Sequence, residues 1–236
     1  MTERHLVAAA IPAYDAEATV GEVVRRTNRI LETVVVIDDG SSDGTSRAAR
    51  DAGATVLAHP RNLGKGRALR TAFDALFARG FEMVVTLDAD GQHMPEQIPA
   101  LIEAARGGAA LVIGSRTHLY AQMHWARRAS NTWSSRAISR LAGQPLRDVQ
   151  CGFRLYTREL VARTGFVEPR FEAESAVVIR AARLGLEMAW VPVDLGFTDG
   201  RATSHYRPIV DSLRIASAAV RARFERQAPV AESLST

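Results

Sequence analysis

The chain has 236 residues, 47% hydrophobic and 24% charged, with a formal net charge of +4. That length buries a substantial core and suits one large α/β domain, and the near-average composition excludes a collagen, a disulfide miniprotein and a disordered chain. No run reaches the roughly 18 consecutive apolar residues of a bilayer-spanning helix, and Cys151 stands alone, so no intrachain disulfide forms. The apolar run at 6–10 meets Pro12, Tyr14 and Asp15 at once, which suits a first strand better than the h-region of a signal peptide. These features predict a soluble protein of the reducing cytoplasm.

In chain order, the first half alternates short β-branched runs with amphipathic stretches. Residues 6–11 and 33–37 (TVVVI) read as buried strands, with Val20, Val23, Val24, Thr27, Ile30 and Leu31 on one helical face between them. A helix at 45–52 ends before Gly53, a strand follows at 55–58, a helix at 67–79 stops at Gly80, and 83–87 (MVVTL) is a fourth strand. A helix at 95–105 carries Pro95 in its first turn, and 111–114 is a fifth strand. Strands separated by helices of about 10–15 residues imply βαβ units. The predicted class is therefore α/β, a mostly parallel Rossmann-like sheet flanked by helices.

After Gly114 the pattern changes. Residues 125–141 read as an arginine-rich helix, 152–157 as a strand, 172–184 as a helix and 188–193 as a further strand. A terminal amphipathic helix is predicted at 208–226, with Ile209, Leu213, Ile215, Ala216 and Val220 broadly on its apolar side. No repeat or linker interrupts the chain, so residues 1–226 are expected to form a single domain with a specialised C-terminal third, and 227–236 a frayed tail.

Charge is unevenly spread. Residues 104–147 hold seven arginines and no acid, 201–226 hold six arginines against Asp211 and Glu225, and Lys65 is the only lysine of the chain. Arginine grips phosphate with a planar fork, so two such segments point to a polyanionic partner. An anionic lipid surface fits at least as well as nucleic acid, for which no known motif is present.

In open parallel sheets, ligands bind beyond the carboxyl ends of the strands. Three predicted strand ends carry polar motifs: Pro12-Ala13-Tyr14, Asp38-Asp39-Gly40-Ser41, and Asp88-Ala89-Asp90-Gly91-Gln92-His93. Carboxylates gathered on one edge repel one another unless a cation or hydrogen-bond donors offset them. Asp88, Asp90 and Gln92 offer hard oxygen ligands of the kind Mg²⁺ or Mn²⁺ accepts alongside water and phosphate. A lone Asp-x-Asp would more often cap a turn; the whole run 87–95 (LDADGQHMP) at a sheet edge argues for the metal. The chain has no P-loop frame around Gly64-Lys65-Gly66 and no dinucleotide fingerprint, which argues against a kinase or ATPase, no His/Cys cluster that suits zinc, and no GxSxG elbow to offer a serine nucleophile.

The stretches IPAYDAE (11–17), VVVIDDGSSDGT (34–45), NLGKGRAL (62–69), LDADGQHMP (87–95), GSR (114–116), DVQCGFRLY (148–156), FEAES (171–175), VPVD (191–194) and GRATSHYRP (200–208) run in the order of a known family. Together they resemble the family-two glycosyltransferases of the A-type nucleotide-sugar fold, and within it the dolichyl-phosphate or polyprenyl-phosphate mannosyltransferase group. The resemblance implies a nucleotide-sugar donor (GDP-mannose or a UDP-sugar), a lipid-phosphate acceptor, and Mg²⁺ or Mn²⁺ on Asp88, Asp90 and Gln92. It divides the chain into a nucleotide-sugar half (6–115), an acceptor-binding part (116–208) and the terminal helix. By the same resemblance Pro12, Tyr14, Ile37 and Asp39 line the base and ribose pocket, with Ala89 between the metal-binding aspartates. Lys65, Arg116 and Arg201 meet donor or acceptor phosphates, and Ser204 and His205 sit on a loop closing over the donor. Where the family carries a glutamate for the ribose this chain has Ala16 followed by Glu17, so Glu17 is the candidate.

A lipid phosphate is already ionised at neutral pH and needs no general base; Arg116 and Arg128 would position it, with Trp125 and Trp133 at the membrane interface and the protein peripheral on the cytoplasmic face. A hydroxyl acceptor needs a base, for which Asp148 and Glu174 are the candidates. Two readings thus stay open, transfer to a lipid phosphate or to a hydroxyl. A non-catalytic binding protein is disfavoured because the Asp88–Asp90 motif is intact.

Overall fold

The computed structural model describes residues 6–120, 125–196 and 208–225. Its strands are β1 (Val7–Ala13), β2 (Val34–Asp38), β3 (Thr55–Ala58), β4 (Met83–Thr86), β5 (Leu111–Ser115), β6 (Arg154–Thr157) and β7 (Met188–Pro192). Its helices are α1 (Glu17–Asn28), α2 (Thr45–Asp51), α3 (Lys65–Ala78), α4 (Ile98–Arg106), α5 (Trp125–Ala142), α6 (Arg158–Thr164), α7 (Glu172–Arg183) and α8 (Pro208–Phe224). One sheet runs β3-β2-β1-β4-β6-β5-β7. All neighbours are parallel except β6, which lies antiparallel between β4 and β5. Every residue of β2 and β5 is buried, as strands covered on both faces require.

The predicted elements and the observed ones differ at identifiable places. The helix expected from Pro95 is a 3-10 turn, Pro95–Gln97, followed by α4, because Pro99 has no N–H to continue a ladder from Pro95. Helix α6 has too few residues to show a period; the Thr157 hydroxyl caps it by accepting from the Leu160 N–H at 3.2 Å. On α8 the face turned to the body is Ile215, Ala218, Ala219 and Ala222, while Val220 is 47% exposed and Phe224 76%. Three of the four are alanines, so α8 meets the body largely through small side chains.

Several long-range contacts tie the last third to the first. Phe73 of α3 packs against Phe77, Tyr156 and Phe166 with ring centroids 5.8, 5.1 and 5.1 Å away. Gly64 enters α3 with φ +99°, and a Cβ there would lie 2.5 Å from the Pro169 carbonyl oxygen, so only glycine meets both demands. Arg180 of α7 is nearly buried between Glu168 (Nη1–Oε2 3.0 Å) and Glu225 (Nε–Oε2 2.9 Å), and Arg183 donates to the Ala222 carbonyl at 2.6 Å. Among the described residues no helix is long and apolar enough to cross a membrane.

The Arg180 fork holds α8 to α7. Replacing it by glutamine leaves the buried Glu168 without its cation, so Arg180→Gln is expected to cost about 3 kcal/mol in denaturant unfolding. It should also speed amide exchange in α8 before that in β1 or β2.

Candidate active site

Strand β1 sits between β2 and β4, so the connections leave in opposite directions and open a crevice at their carboxyl ends. The loops after β1 and β2 are interlaced there. Asp15, at φ +47°, accepts from the Ser42 N–H (2.8 Å) and donates its own N–H to the Ser41 hydroxyl (3.0 Å). The Ala16 N–H donates to the Thr45 hydroxyl (2.8 Å), and Glu17 accepts from the Gly44 N–H (3.1 Å) and pairs with Arg47 (3.0 Å). Asp38 accepts from the Ser41 N–H at 2.9 Å and from the Ser46 hydroxyl. Burial opposes its charge, but these donors outweigh burial and lower its pKa. Asp39 accepts from the Leu63 and Gly64 N–H groups at 2.9 and 2.7 Å and pairs with His59, fixing the entry to α3.

The loop after β4 brings Asp88 and Asp90 to the same edge. The Lys65 ammonium, on the first residue of α3, lies 2.7 Å from Asp88 Oδ1 and 3.1 Å from Glu174 Oε2 of α7. Burial opposes the Lys65 charge, yet Asp88 and then Glu174 outweigh it and raise its pKa above the ordinary value. Burial likewise opposes the Asp88 charge, and Lys65 overrides it, holding that carboxyl well below the usual range. Asp90 goes the other way: burial, then the Asp88 charge, raise its pKa. The Asp88 N–H donates to His93 Nδ1 at 3.0 Å, and burial pushes the His93 imidazole down to about 4, so it is neutral and accepts.

The floor under this pair comes from the segment before β6. Arg154 is fully buried and donates to the carbonyls of Cys151 (2.7 Å), Val149 (2.6 Å) and Glu174 (2.9 Å), while the Thr86 hydroxyl donates to the Gly152 carbonyl at 2.9 Å. Gly152 is thereby pressed onto the pair: a Cβ there would lie 2.7 Å from Asp88 Oδ2 and 2.8 Å from Lys65 Nζ. Beside it, Asp148 accepts from the Arg116 N–H (2.7 Å), Nε (2.9 Å) and Nη2 (2.8 Å), and is 1% exposed. Burial pushes the Cys151 thiol up to about 11, so it is an inert packing group.

Over these residues lies a cavity of about 490 Å³. Of the residues singled out from sequence, Pro12, Tyr14, Asp39, Lys65, Asp88, Ala89 and Asp90 line it. Ile37 does not: it is wholly buried in β2, where strand alternation turns it into the core. Glu17 is spent on Gly44 and Arg47, and Gln92 is absent from the lining, its N–H donating to Asp90 Oδ1 at 2.9 Å. Asp148 offers no free oxygen to take a proton, and Arg116 is committed to it. The side chain of Arg128, on α5, and residues Arg201, Ser204 and His205 lie outside the described residues. The cavity also takes in Asn62, Arg170, Phe171 and Arg214. Arg170 directly precedes the FEAES stretch and Phe171 opens it, and Arg214, from the C-terminal arginine-rich segment, also borders the cavity.

Two carboxylates facing a cavity, one raising the pKa of the other, are a fitting donor set for a hard divalent cation. Among the described residues no group of three or more His, Cys, Asp or Glu is placed to hold a metal ion. A cation would therefore rest on Asp88 and Asp90, with substrate oxygens and water completing its sphere.

Residues 9–165 match the model of glycosyl transferase family 2. The chain belongs to that family. This glycosyltransferase is 35% identical over 171 residues to an undecaprenyl-phosphate mannosyltransferase of Micrococcus luteus, covering 68% of this chain and 70% of the relative. It is 29% identical over 208 residues to a polyprenol monophosphomannose synthase of Mycolicibacterium smegmatis, covering 84% and 75%. Among solved structures it superposes on glucosyl-3-phosphoglycerate synthase of Mycobacterium tuberculosis, in complex with Mn²⁺, UDP-glucose and phosphoglyceric acid, with a TM-score of 0.71 at 23% identity, covering 92% of this chain and 79% of that one. That likeness establishes the A-type fold.

Two outcomes follow from this geometry. Gly152→Ala meets only the mobile ends of Lys65 and Asp88, so the fold should survive at a cost of about 1–3 kcal/mol, while displacement of the pair should lower kcat/KM about 100-fold. The His93 pKa lies below its unfolded value, so the unfolded chain binds the extra proton between about pH 6.5 and 4. Stability should accordingly fall by about 3 kcal/mol as pH drops through that window, and His93→Gln should flatten the slope in denaturant titrations.

Proposed function

We propose that the protein transfers a hexosyl group from a nucleotide-sugar, GDP-mannose or a UDP-hexose, to a polyprenyl phosphate at a membrane surface. The observation that carries this reading is the placement of the two candidate bases. Asp148 is held by the Arg116 fork, Glu174 pairs with Lys65 through Oε2 while its Oε1 is buried, and neither lines the cavity. An acceptor that must lose a proton finds neither at the cavity wall, whereas a phosphate monoester arrives ionised. The two mannosyltransferase relatives, which act on lipid phosphates by name, support the same acceptor. The solved neighbour, with Mn²⁺ and UDP-glucose, supports a metal-assisted nucleotide-sugar donor.

In this reading Pro12, Tyr14 and Asp39 border the nucleoside and Asp88 and Asp90 the diphosphate. A divalent cation held there would offset the charge of the departing diphosphate. Lys65, Arg170 and Arg214 add fixed positive charge around the same cavity. An acceptor phosphate oxygen attacks the anomeric carbon in line as the bond from that carbon to the diphosphate oxygen breaks, inverting configuration. Family resemblance assigns Arg201 to the phosphates and Ser204 and His205 to a loop over the donor, and the arginine-rich α5 offers Arg128 to the acceptor phosphate. On α8 the exposed Val220 and Phe224, beside Arg221 and Arg223, give an apolar and cationic ridge suited to an anionic headgroup layer.

The test is transfer of radiolabelled sugar from GDP-mannose, UDP-glucose and UDP-galactose to undecaprenyl phosphate in detergent, with Mg²⁺ or Mn²⁺. Organic-soluble product is expected with one donor and is lost on chelation. Asp90→Asn should lower the rate by about 100-fold or more. Label appearing only on a water-soluble hydroxyl acceptor would overturn the lipid-phosphate reading and leave the family assignment intact.

A further inference from the structure

The Lys65 ammonium is enclosed on three sides. Asp88 Oδ1 is 2.7 Å away, Glu174 Oε2 3.1 Å, and the Gly152 backbone closes the floor, where a Cβ would come within 2.8 Å of the nitrogen. Glu174 is itself held from behind by the fully buried Arg154, 3.8 Å from its carboxylate and hydrogen-bonded to its carbonyl. The fourth side is the cavity, which both Lys65 and Asp88 line. A univalent cation thus occupies an oxygen of one of the two carboxylates on which a divalent cation would rest.

We propose that Lys65 is a resident counter-ion that makes divalent-cation binding at Asp88 and Asp90 conditional on the nucleotide diphosphate. The inference rests on the reading that these aspartates hold the cation. With the cavity empty of nucleotide, Lys65 neutralises Asp88, and a second cation would meet both its positive charge and an occupied carboxylate oxygen. A diphosphate entering the cavity offers the ammonium new anionic oxygens. Lysine is a compact charge on a flexible stem and can turn to them without backbone movement. Glu174, anchored by Arg154, keeps the ammonium at the cavity wall throughout, so Asp88 is released while Lys65 stays at hand. Cation and nucleotide then bind cooperatively, each strengthening the other by the same factor. Glu174 and Arg154 are positioning residues in this scheme, acting through Lys65.

Titration of Mn²⁺ followed by electron paramagnetic resonance tests it, with and without GDP or UDP and corrected for Mn²⁺ bound by free nucleotide. The wild-type protein should bind Mn²⁺ about tenfold or more tighter with one nucleotide than without. Lys65→Met should bind Mn²⁺ alone about tenfold tighter than wild type, and the nucleotide effect should shrink to about threefold or less. Because Lys65→Met strands the Glu174 charge, the double variant Lys65→Met/Glu174→Gln, which restores the net charge, should show the same gain, with folding checked by circular dichroism. Folded variants that bind Mn²⁺ alone no tighter than wild type would overturn the inference and leave the metal reading standing. Absence of Mn²⁺ binding to wild type with either nucleotide would remove both.

Discussion

A parallel sheet delivers the ends of its strands to one edge, and here those ends and the loops beside them gather Asp38, Asp39, Asp88, Asp90 and Asp148 within one crevice region. Each buried carboxylate must be met by a donor or a cation, and Asp88 raises the cost for Asp90. Asp38 is met by hydroxyls and an N–H, Asp39 by the backbone entering α3, Asp148 by an arginine, and Asp88 by Lys65. Asp90 is relieved by backbone N–H groups and by the nearby Lys65 charge, but burial and the charge of Asp88 outweigh them, the condition under which a carboxylate accepts an external cation.

The supports of the Lys65–Asp88 pair come from far along the chain, Glu174 beside the ammonium and Gly152 and Arg154 beneath it, which explains why later segments are needed for a site that the N-terminal half outlines. Arg154 donates three hydrogen bonds to carbonyls and exposes none of its surface. A guanidinium in that position fixes the loop before β6 as firmly as a strand pairing would, since each lost partner would leave a buried charge unsatisfied. Gly152 follows from it: the loop is held so close to Asp88 and Lys65 that even a methyl group would displace the pair.

Much of this was legible in the residues. Alternating β-branched runs and helical faces place β1 to β5 and α1 to α4 within a few residues of their positions, because local period and burial agree there. The motif after β4 identifies the acidic edge. What was not legible depends on contacts between distant segments. The direction of β6 is set by its neighbours rather than by its own pattern. Ile37 looks like any residue beside a binding motif until pairing with Pro12 and Leu57 shows it buried in mid-sheet. Asp148 has the residue type of a base, and only the Arg116 fork closing on it shows otherwise. Arg170 and Arg214 stand just outside the FEAES and GRATSHYRP stretches, and only the fold shows that they reach the cavity.

The placement of β6 has a consequence for assembly. In the chain β5 precedes β6, but in the sheet β6 lies between β4 and β5. Until β6 arrives, β4 and β5 cannot pair with each other in native register and must stand about two strand spacings, roughly 10 Å, apart. Each then shows an open edge, the kind of surface that invites pairing with another chain. Closing the gap joins residues more than 60 positions apart, such as Thr86 with Arg154, a non-local step of the kind that sets slow folding rates. The same insertion brings Gly152 and Arg154 beneath Lys65. Closure of the sheet and completion of the acidic site are thus one event, and a newly made chain acquires its chemistry only when its most exposed edges disappear.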